Sequence, residues 1–163
     1  MRKMVLSLLV HNRAGVTSRI AGLFSRRGYN MDSITGGVTE NPDITRVTVV
    51  VHGEEAVLEQ VTKQLSKLED VIEIEELEPG TSVCRELILV RVAVSGVQRP
   101  EVVSVADIFR ANVVDVAKNS LMIELTGDAS KLDAFLELLT GYEILGIART
   151  GLTGLCRGSA VKK

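Results

Sequence analysis

One succession of periodicities occurs twice along this chain of 163 residues, in the same order, on either side of a short break. From Lys3 to His11, Met4, Leu6, Leu8 and Val10 alternate with Val5, Ser7, Leu9 and His11, an extended segment apolar on both faces that predicts a central, doubly covered strand. Val16, Ile20, Leu23 and Phe24 then recur at helical spacing, Arg19, Arg26 and Arg27 fall elsewhere on the wheel, and Gly28 supplies a stop signal. Ile34 to Glu40 and Ile44 to His52 read as a hairpin turned at Asn41-Pro42-Asp43, where Pro42 pre-sets the backbone. After Gly53 a second helix puts Val57, Val61, Leu65 and Leu68 on one stripe. Val71 to Leu77 closes the unit as a strand with Ile72 and Ile74 facing opposite Glu73 and Glu75. The order is βαββαβ.

Glu78-Pro79-Gly80-Thr81-Ser82 breaks both periodicities, which puts a first domain at 1–78, a linker at 79–83 and a second domain at 84–163. Beyond it, Glu86 to Val94 is a strongly apolar strand, and Pro100 suits the first turn of a helix with Val102, Val105, Ala106 and Phe109 on one face. Val113 to Ala117 and Leu121 to Thr126 form a hairpin around Asn119-Ser120, followed by a helix carrying Leu132, Phe135, Leu136 and Leu139 and a last strand, Glu143 to Arg149. The fold class is therefore α+β, two ferredoxin-like βαββαβ units in tandem.

Each unit has about 65–75 residues, and a core of that size rarely supplies more than ~3–5 kcal/mol alone. Such a unit packs two helices on one sheet face, yet the first strand of each is apolar on both sides, so something covers the open faces. A second copy, the other unit of the chain and a different protein are the candidates, and all three imply an assembly component.

Hydrophobic residues at 45% and charged residues at 25% point to a folded, soluble protein. No apolar stretch reaches the roughly 18–20 residues of a membrane span, and Met1 to Val5 runs into a strand pattern without a cleavage site, so the expected location is the cytoplasm. With 21 acidic against 19 basic residues there is no surplus positive charge for nucleic acid. Cys84 and Cys156 fit no metal spacing and read as reduced structural thiols.

Groups able to carry catalysis are few: His11 and His52 sit at strand ends and read as structural, and no nucleophile motif or phosphate loop is present. Gly151, Gly154, Arg157 and Gly158 lack the strand-loop-helix context of a phosphate site and read as a flexible terminal segment. The segment Asn12-Arg13-Ala14-Gly15-Val16-Thr17 is more informative. It ends at a helix N-terminus, where unpaired N–H groups favour a carboxylate, and Gly15 allows close approach to the backbone. Asn12 and Asn30 offer carbonyl acceptors for an ammonium group, beside space at Gly36-Gly37. The same residues also suit a plain turn and a strand bulge, and spacing leaves both readings open.

The run from Asn12 to Ile34, opening Asn12-Arg13-Ala14-Gly15-Val16-Thr17 and closing Gly28-Tyr29-Asn30-Met31-Asp32-Ser33-Ile34, closely resembles the start of acetohydroxyacid (acetolactate) synthase small subunits. The resemblance continues at Glu59 to Leu68, Arg85-Glu86-Leu87, Ile108 to Val116, Gly127 to Phe135 and Ala148 to Gly151. It implies that the first unit is an ACT domain that pairs in a homodimer and binds valine or a related branched-chain amino acid at the interface. The effector-site residues it implies are Asn12, Gly15 and Asn30, with Ala14, Val16, Met31 and Gly37 as neighbours. Gly36-Gly37 stands where some members carry a bulkier residue, which bears on effector preference. The resemblance further implies a non-catalytic chain that activates a separate catalytic large subunit and confers feedback inhibition on it. Thiamine diphosphate, FAD and magnesium would belong to that subunit, with no cofactor or metal here. The carboxy-terminal unit would help in dimerisation and in contact with the catalytic subunit. A stand-alone enzyme and a transcription factor are the competing readings, and no helix remains for a helix-turn-helix.

Overall fold

Strand β1 (Arg2–His11) organises the first half of the chain in the computed structural model, which describes residues 1–160. It pairs antiparallel with β3 (Ile44–Gly53) on one side and β4 (Val71–Glu76) on the other, while β2 (Met31–Val38) adds beyond β3 to give the order β2-β3-β1-β4. Met4, Leu6, Leu8 and Val10 point to α1 (Val16–Arg27) and α2 (Glu55–Ser66) and form one core with Ile20, Phe24, Val61 and Leu65. Gly28 ends α1 in the left-handed region, φ 66°, as its place after the last apolar turn requires.

Two expectations for this unit change. Leu58, not Val57, joins Val61 and Leu65 in the core, because 58, 61 and 65 keep the three-and-four spacing of one helix face; Val57 is left at the exposed rim. On β4 a register shift opposite Leu9 and Val10 sets Val71 against Val10 and Ile74 against Leu8, so Ile72 turns outward, 47% exposed.

The reverse face of this sheet is covered by the end of the chain. Sequence order predicts a flexible tail inside a second domain of residues 84–163, but the described residues from Leu152 to Ala160 belong with Met1–Cys84, and Arg85–Gly151 form the second unit. The Thr35 hydroxyl donates to the Leu152 carbonyl at 2.9 Å, and Thr153–Cys156 form strand β9. β9 pairs with the start of β5 (Ser82–Ala93), where Arg157 N–H donates to Thr81 at 2.8 Å, so β5 begins inside the expected linker 79–83. Leu152 and Gly154 are buried, as are Ser7, Thr48 and Val50 of the sheet. Cys156 bonds the Glu75 carboxylate, which together with burial raises its thiol pKa above the usual range, and Cys84 and Cys156 are not joined in a disulfide.

The second unit repeats the topology of the first. β5, α3 (Arg99–Ile108), β6 (Asn112–Ala117), β7 (Ser120–Gly127), α4 (Ala129–Leu138) and β8 (Ile144–Arg149) give the order β6-β7-β5-β8, with both helices on one face. Ile88, Val90 and Val92 of β5 pack with Val102, Ala106, Leu132 and Phe135, and Phe109 meets Phe135 edge-on at 5.4 Å. Glu86, 7% exposed, is gripped by Arg149 at 2.7 and 3.1 Å.

Gly154 tests the tail. A Cβ there would lie 2.6 Å from Cys84 Sγ, 2.9 Å from Leu77 Cδ1 and 2.9 Å from the Val83 carbonyl, which is backbone of β5. Gly154→Ala is expected to lower stability by about 1–3 kcal/mol in urea unfolding, since overpacking against backbone cannot be relieved by a rotamer change. An unchanged midpoint would show that the tail does not stabilise the unit.

Candidate functional site

Four helix N-termini invite comparison, and α1 differs from the other three. Asp128 caps α4 by accepting from the Lys131 N–H at 2.9 Å, a bond that lowers its own carboxyl pKa. At α3, Gln98 accepts from the Ser95 N–H at 3.0 Å, Ser95 accepts from the Gln98 N–H at 3.2 Å, and Glu101 lies in the first turn. Glu55 lies in the first turn of α2. α1 has neither a side-chain cap nor an acidic residue in its first turn; the Val16 N–H donates to the Arg13 carbonyl at 3.4 Å, and the positive end and the N–H groups of Thr17 and Ser18 remain open to an anion.

The loop leading to it is held in place by its neighbours. Asn12 N–H donates to the Asp43 carbonyl at 2.8 Å, and its side-chain amide donates to the Pro42 carbonyl at 2.9 Å, while its side-chain oxygen has no hydrogen bond among the described residues. Gly15 stands at the cap position with φ 83°, a conformation that opposes a side chain, and its carbonyl accepts the first helical bond from Arg19 at 2.9 Å. Asn12, Ala14 and Gly15 are exposed, whereas the Val16 side chain is in the core, so only its backbone faces the loop surface.

Gly37 lies at the same end of the sheet, since it pairs with Arg46, which pairs with Leu9. It is exposed, and nothing lies within 4 Å of where its Cβ would be. Asn30 and Met31 lie at the far end: Met31 pairs with Val51, and Val51 with Met4. From Met4 to His11 are seven steps of about 3.3 Å, so roughly 23 Å separate the two groups within one chain. The fold thus sets Asn12, Ala14, Gly15 and, two strands away, Gly37 at one end of the sheet and leaves Asn30 and Met31 at the other.

Two charged groups beside the loop were not singled out in the sequence. Asp70, just before β4, holds Arg19 through Nη2, and Arg13 Nη1 lies 3.6 Å from the same carboxylate. Their sequence separation hides the cluster, which only the return of β4 alongside β1 creates. The backbone N–H of His11 donates to the Asp70 carbonyl, and His52 Nδ1 meets Asp32. Among the described residues there is no group of side chains suited to a metal ion and no helix long and apolar enough to cross a membrane.

Residues 6–73 match the family described as the AHAS small subunit-like ACT domain, and residues 85–158 match the family described as the small subunit of acetolactate synthase. The chain belongs to the acetolactate synthase small-subunit family. It is 49% identical over 156 residues to a probable acetolactate synthase small subunit of Methanothermobacter thermautotrophicus, covering 95% of this chain and 93% of that one. It is 42% identical over 160 residues to the acetolactate synthase isozyme 3 small subunit of Escherichia coli, with 98% of each covered. The crystal structure of the Thermotoga maritima acetolactate synthase small subunit superposes with a TM-score of 0.89 at 37% identity, covering 96% of this chain and 98% of that one. This small subunit therefore has the ACT-type first unit and α+β architecture expected from the sequence.

The two glycines of the loop end differ in a way that can be measured. Gly15→Ala places a Cβ at φ 83° and 3.1 Å from Arg19 Nη1, so it is expected to cost about 1–2 kcal/mol. Gly37→Ala, in open space at an ordinary strand conformation, is expected to be neutral or to add about 0.4–1 kcal/mol. Equal urea midpoints for the two variants would contradict the strained cap.

Proposed function

We propose that this chain is the regulatory subunit of acetolactate synthase in branched-chain amino acid biosynthesis, without catalytic activity of its own, and that it binds valine or a related amino acid through its ACT unit. It raises the activity of the catalytic large subunit in the cytoplasm and makes that subunit sensitive to the effector. Thiamine diphosphate, FAD and magnesium act in the large subunit, where the carbanion is formed. The carboxy-terminal unit contributes to dimerisation and to contact with that partner.

The observation that carries this reading is the open N-terminus of α1 in a chain of this family. An amino-acid carboxylate suits its N–H groups, and the unbonded side-chain oxygen of Asn12 suits the ammonium group. The roughly 23 Å that separate Asn30 from the loop support a site made by two copies. β2 is an edge strand with unpaired main-chain groups on its outer side. Antiparallel pairing of two β2 edges about a two-fold axis sets the Met31 end of one against the Val38 end of the other. Asn30 and Met31 of the partner subunit then approach Asn12, Ala14, Gly15 and Gly37, and an amino acid bound there touches both copies.

Light scattering at micromolar concentration is expected to return twice the chain mass of 17.6 kDa, or a higher multiple. A monomer across that range would remove the two-copy site.

Gly15→Asp tests the site itself. It puts a carboxylate where the effector's is placed, at φ 83°, a region that Asp tolerates better than most residues. Reconstituted with the catalytic subunit, the parent is expected to show a coupling of about 1–3 kcal/mol between effector and activity. In the variant the ratio of rates without and with valine is expected to fall toward one, and valine binding to weaken at least about tenfold, roughly 1.4 kcal/mol. A folded variant that responds to valine as the parent does would place the effector elsewhere.

A further inference from the structure

Arg19 holds its guanidinium across the mouth of the helix on which it stands. A side chain in the first turns of a helix leans toward the N-terminus, and here that lean carries Arg19 over Gly15, with Nη1 3.1 Å from the position of a Gly15 Cβ. Only one edge of the fork is used. Nη2 is bound to Asp70, whereas Nη1 has no hydrogen-bond partner among the described residues. Asp70 is the fixed member of the pair: its side chain is 11% exposed against 51% for Arg19, and its carbonyl accepts from the His11 N–H at 2.9 Å. Arg13 approaches the other carboxylate oxygen at 3.6 Å, so two guanidinium groups share one carboxylate and the cluster carries one net positive charge beside the open helix terminus.

We infer that Arg19 reads the carboxylate of the effector through its free Nη1 edge and that Asp70 is the positioning residue that holds it there, an inference that rests on the effector site proposed above. The ligand is a small α-amino acid with its carboxylate between the first N–H groups of α1 and the guanidinium. A charge-assisted bond from a pre-oriented arginine is stronger than one from a backbone N–H alone, and it rejects ligands without the negative charge. The missing side chain at Gly15 has a second role in this arrangement, because a Cβ would stand against the reading edge.

Calorimetry on the full chain with L-valine and L-valinamide, which has the same side chain and ammonium group but no carboxylate, tests this. The parent is expected to bind valine and to discriminate strongly against valinamide. Arg19→Gln is expected to weaken valine at least tenfold while leaving valinamide within about twofold of the parent, so the discrimination collapses. Arg19→Lys, which keeps the charge without the fork, is expected to fall between the two. Asp70→Asn, with the arginine intact but unanchored, is expected to lose part of the same discrimination, a change that a role in stability alone would not produce. Thermal melts of each variant exclude unfolding as the cause, and should Arg19→Gln fail to fold, Arg19→Lys and Asp70→Asn carry the test. If the parent binds valine and the folded Arg19 variants keep its valine-to-valinamide ratio, the arginine does not read the carboxylate and the effector site stands without it. If the parent binds none of valine, leucine and isoleucine, the effector site and this inference fall together.

Discussion

A sheet of four strands with two helices has one face left over, and the apolar reverse side of β1 makes that face costly to leave in water. Val5 and Leu9 lie on it beside Ser7, Thr48 and Val50, the last three almost wholly buried. The cover comes from more than seventy residues further along the chain, where Leu152 receives the Thr35 hydroxyl and β9 runs beside the start of β5. The unit that carries the candidate site is thus closed only once the last segment has been added. Gly154 lies where that segment comes closest to Cys84 and Val83, a distance at which only a residue without a side chain fits.

With that face covered, the chemistry of the first unit is left to the ends of its elements. The same strand-to-helix turn occurs in both units, and it is finished differently in each. In the second unit Ser95 and Gln98 satisfy one another and Glu101 adds negative charge, so the turn before α3 is tied down and its helix end faces an acidic residue. In the first, Gly15 replaces any capping side chain, the first turn has no acid, and two arginines stand nearby. A helix end left open is destabilising by about the 0.5–2 kcal/mol that a good cap supplies, unless a ligand completes it. This asymmetry between two copies of one topology is the physical argument for assigning the effector to the first unit.

The architecture was legible in the sequence because periodicities of 2 and 3.6 do not depend on long-range contacts: Val16, Ile20, Leu23 and Phe24 are buried in α1 as their spacing requires. Departures arose where a local rule met a distant partner. Ile72 is exposed because β1 imposes a bulge on β4, and no residue of β4 announces it. The tail read as flexible because Gly151, Gly154 and Gly158 are poor strand formers, yet at Gly154 the absent side chain is what admits the strand. The loop at Asn12 to Gly15 was visible from its glycine and its place before a helix. The Arg13, Arg19 and Asp70 cluster was not, since a charge on a helix wheel looks the same whether it faces water or another element.

The separation of Asn30 from the loop is itself a consequence of topology. In a βαββαβ unit the helix after β1 returns the chain to the opposite end of the sheet, so the residues before α1 and those after it cannot meet in one chain. A site that uses both is necessarily shared, and on the proposed pairing of β2 edges each dimer has two of them related by symmetry. Ligand and dimer are then thermodynamically linked: an amino acid that touches both copies binds the dimer better than the monomer, and whatever favours the dimer raises the apparent affinity by the same factor. Sensing of this kind needs no change of fold within either unit. On the proposed reading an effector would act on the strength and geometry of an interface, and a catalytic partner that binds the paired form would register the amino acid without touching it.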